Sequence, residues 1–140
     1  MQAYEIQSFG LEGLRRVDRP APQIGPGQVL LKMRAWSLNF RDLMMVKGHY
    51  NPKLKMPAVP LSDGAGEVVA VGPGVTRVKV GDRVAAAFMQ KWIAGEINET
   101  KARSALGGGG PDGMLAEQAV LSEEGLVHLP PALSYEEGAT

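Results

Sequence analysis

Apolar residues recur along this chain in short runs separated by glycine and proline. Most runs alternate with polar neighbours at the two-residue period of a half-buried strand. Tyr4 and Ile6 open the first strand, Phe9, Gly10 and Gly13 mark a turn, and residues 14–17 form the return. Residues 19–27 hold three prolines and two glycines and read as a connecting loop, followed by a long strand over 29–36. Residues 51–60, with three prolines, form another loop. The nearly unbroken apolar run over 66–71 predicts a buried strand. Further strands are expected over 83–88, 114–121 and 126–129, with turns at 72–74 and near Gly81.

The period changes at Phe40, Leu43, Met44 and Lys47, which follow i, i+3, i+4, i+7. Asn39 stands at the N-cap and Gly48 at the stop, so a short helix is expected over 40–47 with its apolar stripe in the core. Asn98 can cap a second helix over 99–106, and residues 107–113 read as a flexible loop. Near the end, Ser134 is followed three residues later by Glu137, a capping box. A helix begun there has about one and a half turns before Thr140 and cannot stand by itself. Residues 134–140 are therefore expected to begin an element that continues elsewhere, a frayed terminal turn being the alternative.

Composition narrows the picture. Gly 18 and Pro 10 make up a fifth of the 140 residues, which disfavours a helical bundle, and 44% hydrophobic content disfavours disorder. Lys and Arg total 15, as do Asp and Glu, and no basic run exceeds Arg15-Arg16. Nucleic acid and anionic membrane surfaces are thus poor partners. No segment approaches the roughly 20 apolar residues of a membrane helix. The first residues lack the layout of a signal peptide, so a cytoplasmic location is expected. The absence of cysteine excludes disulfides, thiolate catalysis and cysteine-based zinc sites.

The motifs give less than they promise. Gly64-Ala65-Gly66 is followed by Val69 and a strand, which does not fit a dinucleotide-binding fingerprint. Gly107 to Gly110 leads into Pro111-Asp112-Gly113, without the Lys and Ser/Thr of a phosphate loop. His49 and His128 are isolated; His128 reads as a strand residue with a solvated ring. Asn39, Arg41 and Asp42 cluster where a strand meets a helix. That cluster is either the edge of a site or local capping beside an exposed arginine.

Several runs resemble one family. Trp36-Ser37-Leu38-Asn39-Phe40-Arg41-Asp42-Leu43 is similar to the Asn-(Tyr/Phe)-(Arg/Lys)-Asp signature of zinc-free medium-chain dehydrogenase/reductases. Residues 60–72, Val80-Gly81-Asp82-Arg83-Val84 and Gly113-Met114-Leu115-Ala116-Glu117 resemble further signatures in the same order and spacing. The zinc-dependent members place Cys at the position of Asn39 and Gly-His-Glu at Leu61-Ser62-Asp63, so the resemblance is to the zinc-free, quinone oxidoreductase-like branch.

The resemblance implies a mainly β, GroES-like, partly open β-barrel with a few short helices. Residues 1–133 would be the catalytic, substrate-binding domain. Residues 134–140 would lead to a Rossmann nucleotide-binding domain that this chain lacks. The implied reaction is NAD(P)(H)-dependent hydride transfer to or from a carbonyl or activated C=C substrate, without zinc, and the 140 residues alone would be inactive. Oxyanion donors would come from Asn39, Arg41 and Tyr50. Asn39, Phe40 and Arg41 would face the cofactor, with Tyr50, Ser62, Phe88 and Trp92 lining the substrate pocket. Asp42, Asp63, Gly64 and Gly66 would be structural. The cofactor would be held mainly by the missing domain, and homo-oligomers are compatible with the family. The competing readings are a GroES-like binding or assembly module and a zinc enzyme with unusual ligands.

Overall fold

The computed structural model describes all 140 residues and is mainly β. Strands β1 (Gln2–Ile6) and β2 (Leu14–Asp18) form an antiparallel hairpin. Strands β3 (Gln28–Ser37), β4 (Asp63–Val71), β5 (Arg83–Ala86), β6 (Gln118–Ser122) and β7 (Leu126–His128) make a five-stranded antiparallel sheet in the order β6-β3-β4-β5-β7. Three short helices accompany them: α1 (Phe40–Val46), α2 (Glu99–Ala102) and α3 (Tyr135–Gly138). None is long and apolar enough to cross a membrane.

The alternation in β3 sets the core. Val29, Leu31, Met33 and Ala35 are buried, while Lys32, Arg34 and Trp36 face outward. Val29 and Leu31 join Val68, Val84, Leu106, Met114 and Leu121 in the main apolar cluster. Gly64 and Gly66 let β3 and β4 approach closely. A Cβ on Gly66 would lie 2.6 Å from the Lys32 carbonyl oxygen, and one on Gly64 would lie 2.8 Å from the Met33 methyl. The β1–β2 hairpin is stitched to the larger sheet through residues 115–117. The Tyr4 amide donates to Leu115 O at 2.9 Å, and the Glu117 amide to Gln2 O at 2.9 Å. The Met33 amide in turn donates to Glu117 O at 2.9 Å.

Several boundaries differ from the sequence expectation, each for a local reason. The strand expected from 114 begins at Gln118, because residues 114–117 donate to Leu61, Pro60, Met114 and Gln2 in turn and join no single ladder. β4 begins at Asp63, three residues before Gly66, since β3 continues to pair with it through Ser37. β5 stops at Ala86 instead of residue 88, opposite Leu126, the first residue of β7, and the Ala87 amide donates to Gly125 O. α2 ends at Ala102 instead of residue 106. Ser104 Oγ folds back onto the Lys101 carbonyl at 2.6 Å, and the Leu106 amide turns to Phe88 O at 3.0 Å.

One reading of side-chain environment is corrected. The apolar stripe of α1 is not in the core: Phe40 is 76% exposed and Leu43 37%, whereas Asp42, Met45 and Val46 are buried. The Asp42 carboxylate accepts the Asn39 amide N–H at 2.8 Å, and this bond turns the Asp42 face inward. Residues 107–113 form the expected loop, in which Gly107 is buried and Gly109 and Gly110 are exposed. Gly107 has φ +61°, and a Cβ there would sit 2.7 Å from the Leu61 carbonyl oxygen.

The capping box at Ser134 forms as expected. Ser134 N–H donates to Glu137 Oε2 at 2.7 Å, and the Glu137 amide donates to Ser134 Oγ at 3.1 Å. The single turn of α3 is docked, not frayed. Ala139 is buried with Ala35 and Ala65, and the Arg83 guanidinium lies 4.6 Å from the Tyr135 ring centre.

Candidate functional site

The functional residues expected from sequence fall into two adjoining groups joined by the first turn of α1. The first is a hydrogen-bonded cluster. Asn39 leaves β3 in extended conformation and caps α1. Its side-chain Nδ2 donates to Asp63 Oδ2, and Ser62 Oγ donates to the same oxygen at 3.0 Å. Ser62 is buried and does not line the groove described below; its hydroxyl is committed to Asp63. Asp42 is also buried. Desolvation pushes its carboxyl above the ordinary aspartate range, opposed by the Asn39 N–H and by Arg41.

This cluster occupies the positions compared above with zinc ligands, and its donors suit zinc poorly. An amide and a hydroxyl, both bonded to one carboxylate, are not the thiolate and imidazole ligands that zinc favours. No three His, Asp or Glu side chains are grouped closely enough to hold a metal ion.

The second group surrounds Arg41. Its guanidinium lies between two aromatic rings, 5.0 Å from the centre of Tyr50 and 4.7 Å from that of Phe88. Its side chain is only 16% exposed, so the reading of Arg41 as a solvated residue does not hold. Nη1 donates to the Leu106 carbonyl at 3.3 Å and stands 3.9 Å from Asp42 Oδ1. Nε is shut off from solvent without a partner, and so is Asp42 Oδ1.

Gly108 has no side chain to crowd the guanidinium: a Cβ there would lie 2.4 Å from Arg41 Nη2. Asn51 Nδ2 holds the same loop by donating to Gly108 O at 3.1 Å. Together Arg41, Tyr50, Asn51, Phe88 and the glycine loop border an open groove of about 490 Å³. Sequence reasoning missed Asn51 and the glycines as parts of this wall. Their only sequence signal is the run of four glycines, which says nothing of what they pack against.

Other expected residues stand apart. Trp92 lies on an exposed loop, donates its indole N–H to Gly95 O at 2.8 Å and does not line the groove. Leu38 and Phe40, the residues on either side of the Asn39 cap in sequence, are 81% and 76% exposed. Such exposed apolar side chains offer a surface on which the flat ring of a nicotinamide can rest. His128 is largely solvated, and its Nε2 lies 3.0 Å from Asp82 Oδ2.

The fold is a five-stranded antiparallel sheet with a separate two-stranded hairpin and a strand-to-helix junction at Asn39. The chain belongs to the alcohol dehydrogenase GroES-like domain family, whose model matches residues 25–131. It is 42% identical over 132 residues to the zinc-type alcohol dehydrogenase-like protein C1773.06c of Schizosaccharomyces pombe, covering 94% of this chain and 38% of that protein. It is 40% identical over 130 residues to a quinone oxidoreductase of Pseudomonas aeruginosa, covering 93% and 33%. The solved structure of an NAD-dependent alcohol dehydrogenase superposes with TM-score 0.83 at 35% identity, over 99% of this chain and 42% of that one. The chain thus spans between a third and two fifths of the length of these curated relatives.

Proposed function

We propose that this chain is the substrate-binding half of a zinc-independent NAD(P)(H)-dependent oxidoreductase acting on a carbonyl or an activated C=C bond. In this reading residues 1–133 form the catalytic domain, and 134–140 lead toward a nucleotide-binding domain of Rossmann type. The observation that carries it is the largely buried Arg41 side chain stacked between Tyr50 and Phe88 at the groove. Family membership and the oxidoreductase names of the relatives support the same reading.

A nicotinamide cofactor, when bound, supplies or accepts the hydride. The residues of this chain position the substrate and stabilise charge. As a carbonyl or enone gains hydride, negative charge gathers on its oxygen, and fixed donors lower the barrier there. Tyr50 lines the groove and its Oη is assigned to that oxygen, with Arg41 facing the substrate beside it. Asn39 and Phe40 are assigned to the cofactor side, with Arg41 between the two. Phe88 forms an apolar wall. Asp42, Asp63 and Ser62 hold Asn39 and the first turn of α1 in place.

The 140 residues hold no glycine fingerprint for a pyrophosphate. Alone, they are expected to bind NADPH more weakly than the micromolar range in a fluorescence titration. Micromolar binding by this chain contradicts the assignment of the cofactor to another domain.

A further inference from the structure

Arg41 is held in a way that its structural surroundings do not explain. Its guanidinium carries five N–H donors, yet the chain supplies one hydrogen bond, at 3.3 Å, to Leu106 O. Nε is buried without a partner, and Nη2, at the bare face of Gly108, makes no hydrogen bond in the chain. The nearest carboxylate oxygen, Asp42 Oδ1, is 3.9 Å away, beyond hydrogen-bond reach. A largely buried guanidinium whose Nε is shut off from solvent without an acceptor is an uncommon arrangement that asks for a reason.

The rest of the groove does not balance the charge. Glu99 and Arg103 also line it, but they pair with each other at 2.5 Å and cancel. The charge of Arg41 is offset by the buried Asp42 carboxylate, 3.9 Å away, which leaves its hydrogen-bond donors unfilled, and the flanking rings of Tyr50 and Phe88 hold its plane in one orientation. A fixed guanidinium plane with free donors suits two coplanar oxygens on one carbon.

We propose that Arg41 is a specificity-determining residue that receives a carboxylate, so that the substrate is a carbonyl or enone compound bearing a carboxylate group. The inference rests on the reading of the groove as the substrate site. In that arrangement the carboxylate takes the free guanidinium edge, and Tyr50 Oη is left for the reacting oxygen. A neutral substrate of the same shape leaves the Arg41 donors unpaired.

The test uses the chain itself and needs no hydride transfer, so it separates this proposal from the assignment of activity. The chain, labelled with ¹⁵N, is titrated with cinnamate and with its neutral isostere cinnamamide. The Arg41 Nε–H and Gly108 amide resonances are followed. Cinnamate is expected to bind about tenfold to a hundredfold more tightly than cinnamamide and to shift both resonances. Arg41→Gln is expected to abolish the preference. Arg41→Lys, which keeps the charge without the planar fork, is expected to retain only part of it, with the remaining amide spectrum reporting an intact fold.

Equal affinity for the two probes, or no binding of cinnamate, overturns the proposal. So does an equal response of Arg41 to inorganic phosphate, which marks a contact indifferent to the kind of anion. If cinnamate is preferred but full-length hydride transfer is later not found, the carboxylate site stands and the activity reading falls.

Discussion

Replacing Gly107 and Gly108 by alanine, one at a time, separates the fold from the site. At Gly107 the backbone has φ +61°, and an added Cβ would meet the Leu61 backbone with its carbonyl oxygen at 2.7 Å. The left-handed conformation alone costs an L-residue about 1–2 kcal/mol. Backbone atoms cannot swing aside as a side chain can, so Gly107→Ala is expected to lose about 2–4 kcal/mol in all.

Gly108 has no positive φ, and its Cβ would meet the end of the Arg41 side chain, a group that can shift where backbone cannot, at 2.4 Å. The guanidinium must move by about 1 Å to restore contact distance, which breaks the 3.3 Å bond to Leu106 and disturbs both ring contacts. Those losses of roughly 1–2 kcal/mol are partly offset by the reduced chain entropy of alanine in the unfolded state, about 0.4–1 kcal/mol. Gly108→Ala is therefore expected to cost no more than about 1 kcal/mol. Urea unfolding followed by tryptophan fluorescence gives both values. The same two proteins, titrated with cinnamate, should show binding lost in Gly108→Ala although it is the more stable. Equal destabilisation by the two substitutions, or full ligand binding by Gly108→Ala, refutes the packing assigned to this loop.

Other outcomes follow from the same structure. Leu31 is fully buried at the centre of the main cluster, so Leu31→Ala is expected to cost about 2–5 kcal/mol, read as a fall in the urea midpoint at unchanged slope. Asp82 is held well below the usual carboxylate range, by the Lys79 side chain first, then the Lys79 N–H and His128. A depressed folded-state value adds stability that is present above about pH 4 and is lost as pH falls further. Asp82→Asn is thus expected to be less stable than the parent at pH 7 by about 1 kcal/mol, solvent screening limiting the effect, with a smaller gap at pH 3. An undiminished gap in acid removes the carboxylate from the explanation. Ala139→Glu places a charge against Ala35 and Ala65 and is expected to speed amide exchange across α3 while leaving β3 protected.

Much of the strand framework is legible in the sequence because it is local. The alternation Val29, Leu31, Met33, Ala35 states both the strand and its buried face. Capping is legible too: Asn39 and Ser134 each mark a helix start that the structure contains. The rotation of α1 is not. Its period names a helix, but the bond from Asn39 to Asp42 decides that Phe40 faces outward and Asp42 inward.

The groove is least legible, since its walls come from distant parts of the chain. Arg41 meets Phe88 and Leu106 only after β4 and β5 have folded back, and Gly108 reaches Arg41 through Asn51. Trp92, close to Phe88 in sequence, turns away because the chain leaves β5 at Ala86 and its indole N–H finds Gly95. Apolar character alone carried no information about which of the two aromatics faces the groove.

The central claim is that this chain supplies the substrate side of a two-domain hydride-transfer enzyme. Its most direct test joins residues 1–140 to the remaining part of the Pseudomonas aeruginosa quinone oxidoreductase in place of the matching segment. NADPH oxidation by the chimera is then followed at 340 nm with a carboxylate-bearing enone. The account predicts turnover by the chimera, none by the 140-residue chain, and at least a tenfold loss of kcat/KM in the chimera carrying Tyr50→Phe. A folded chimera that binds NADPH yet transfers no hydride to any carbonyl or enone, or full activity with Tyr50→Phe, contradicts it.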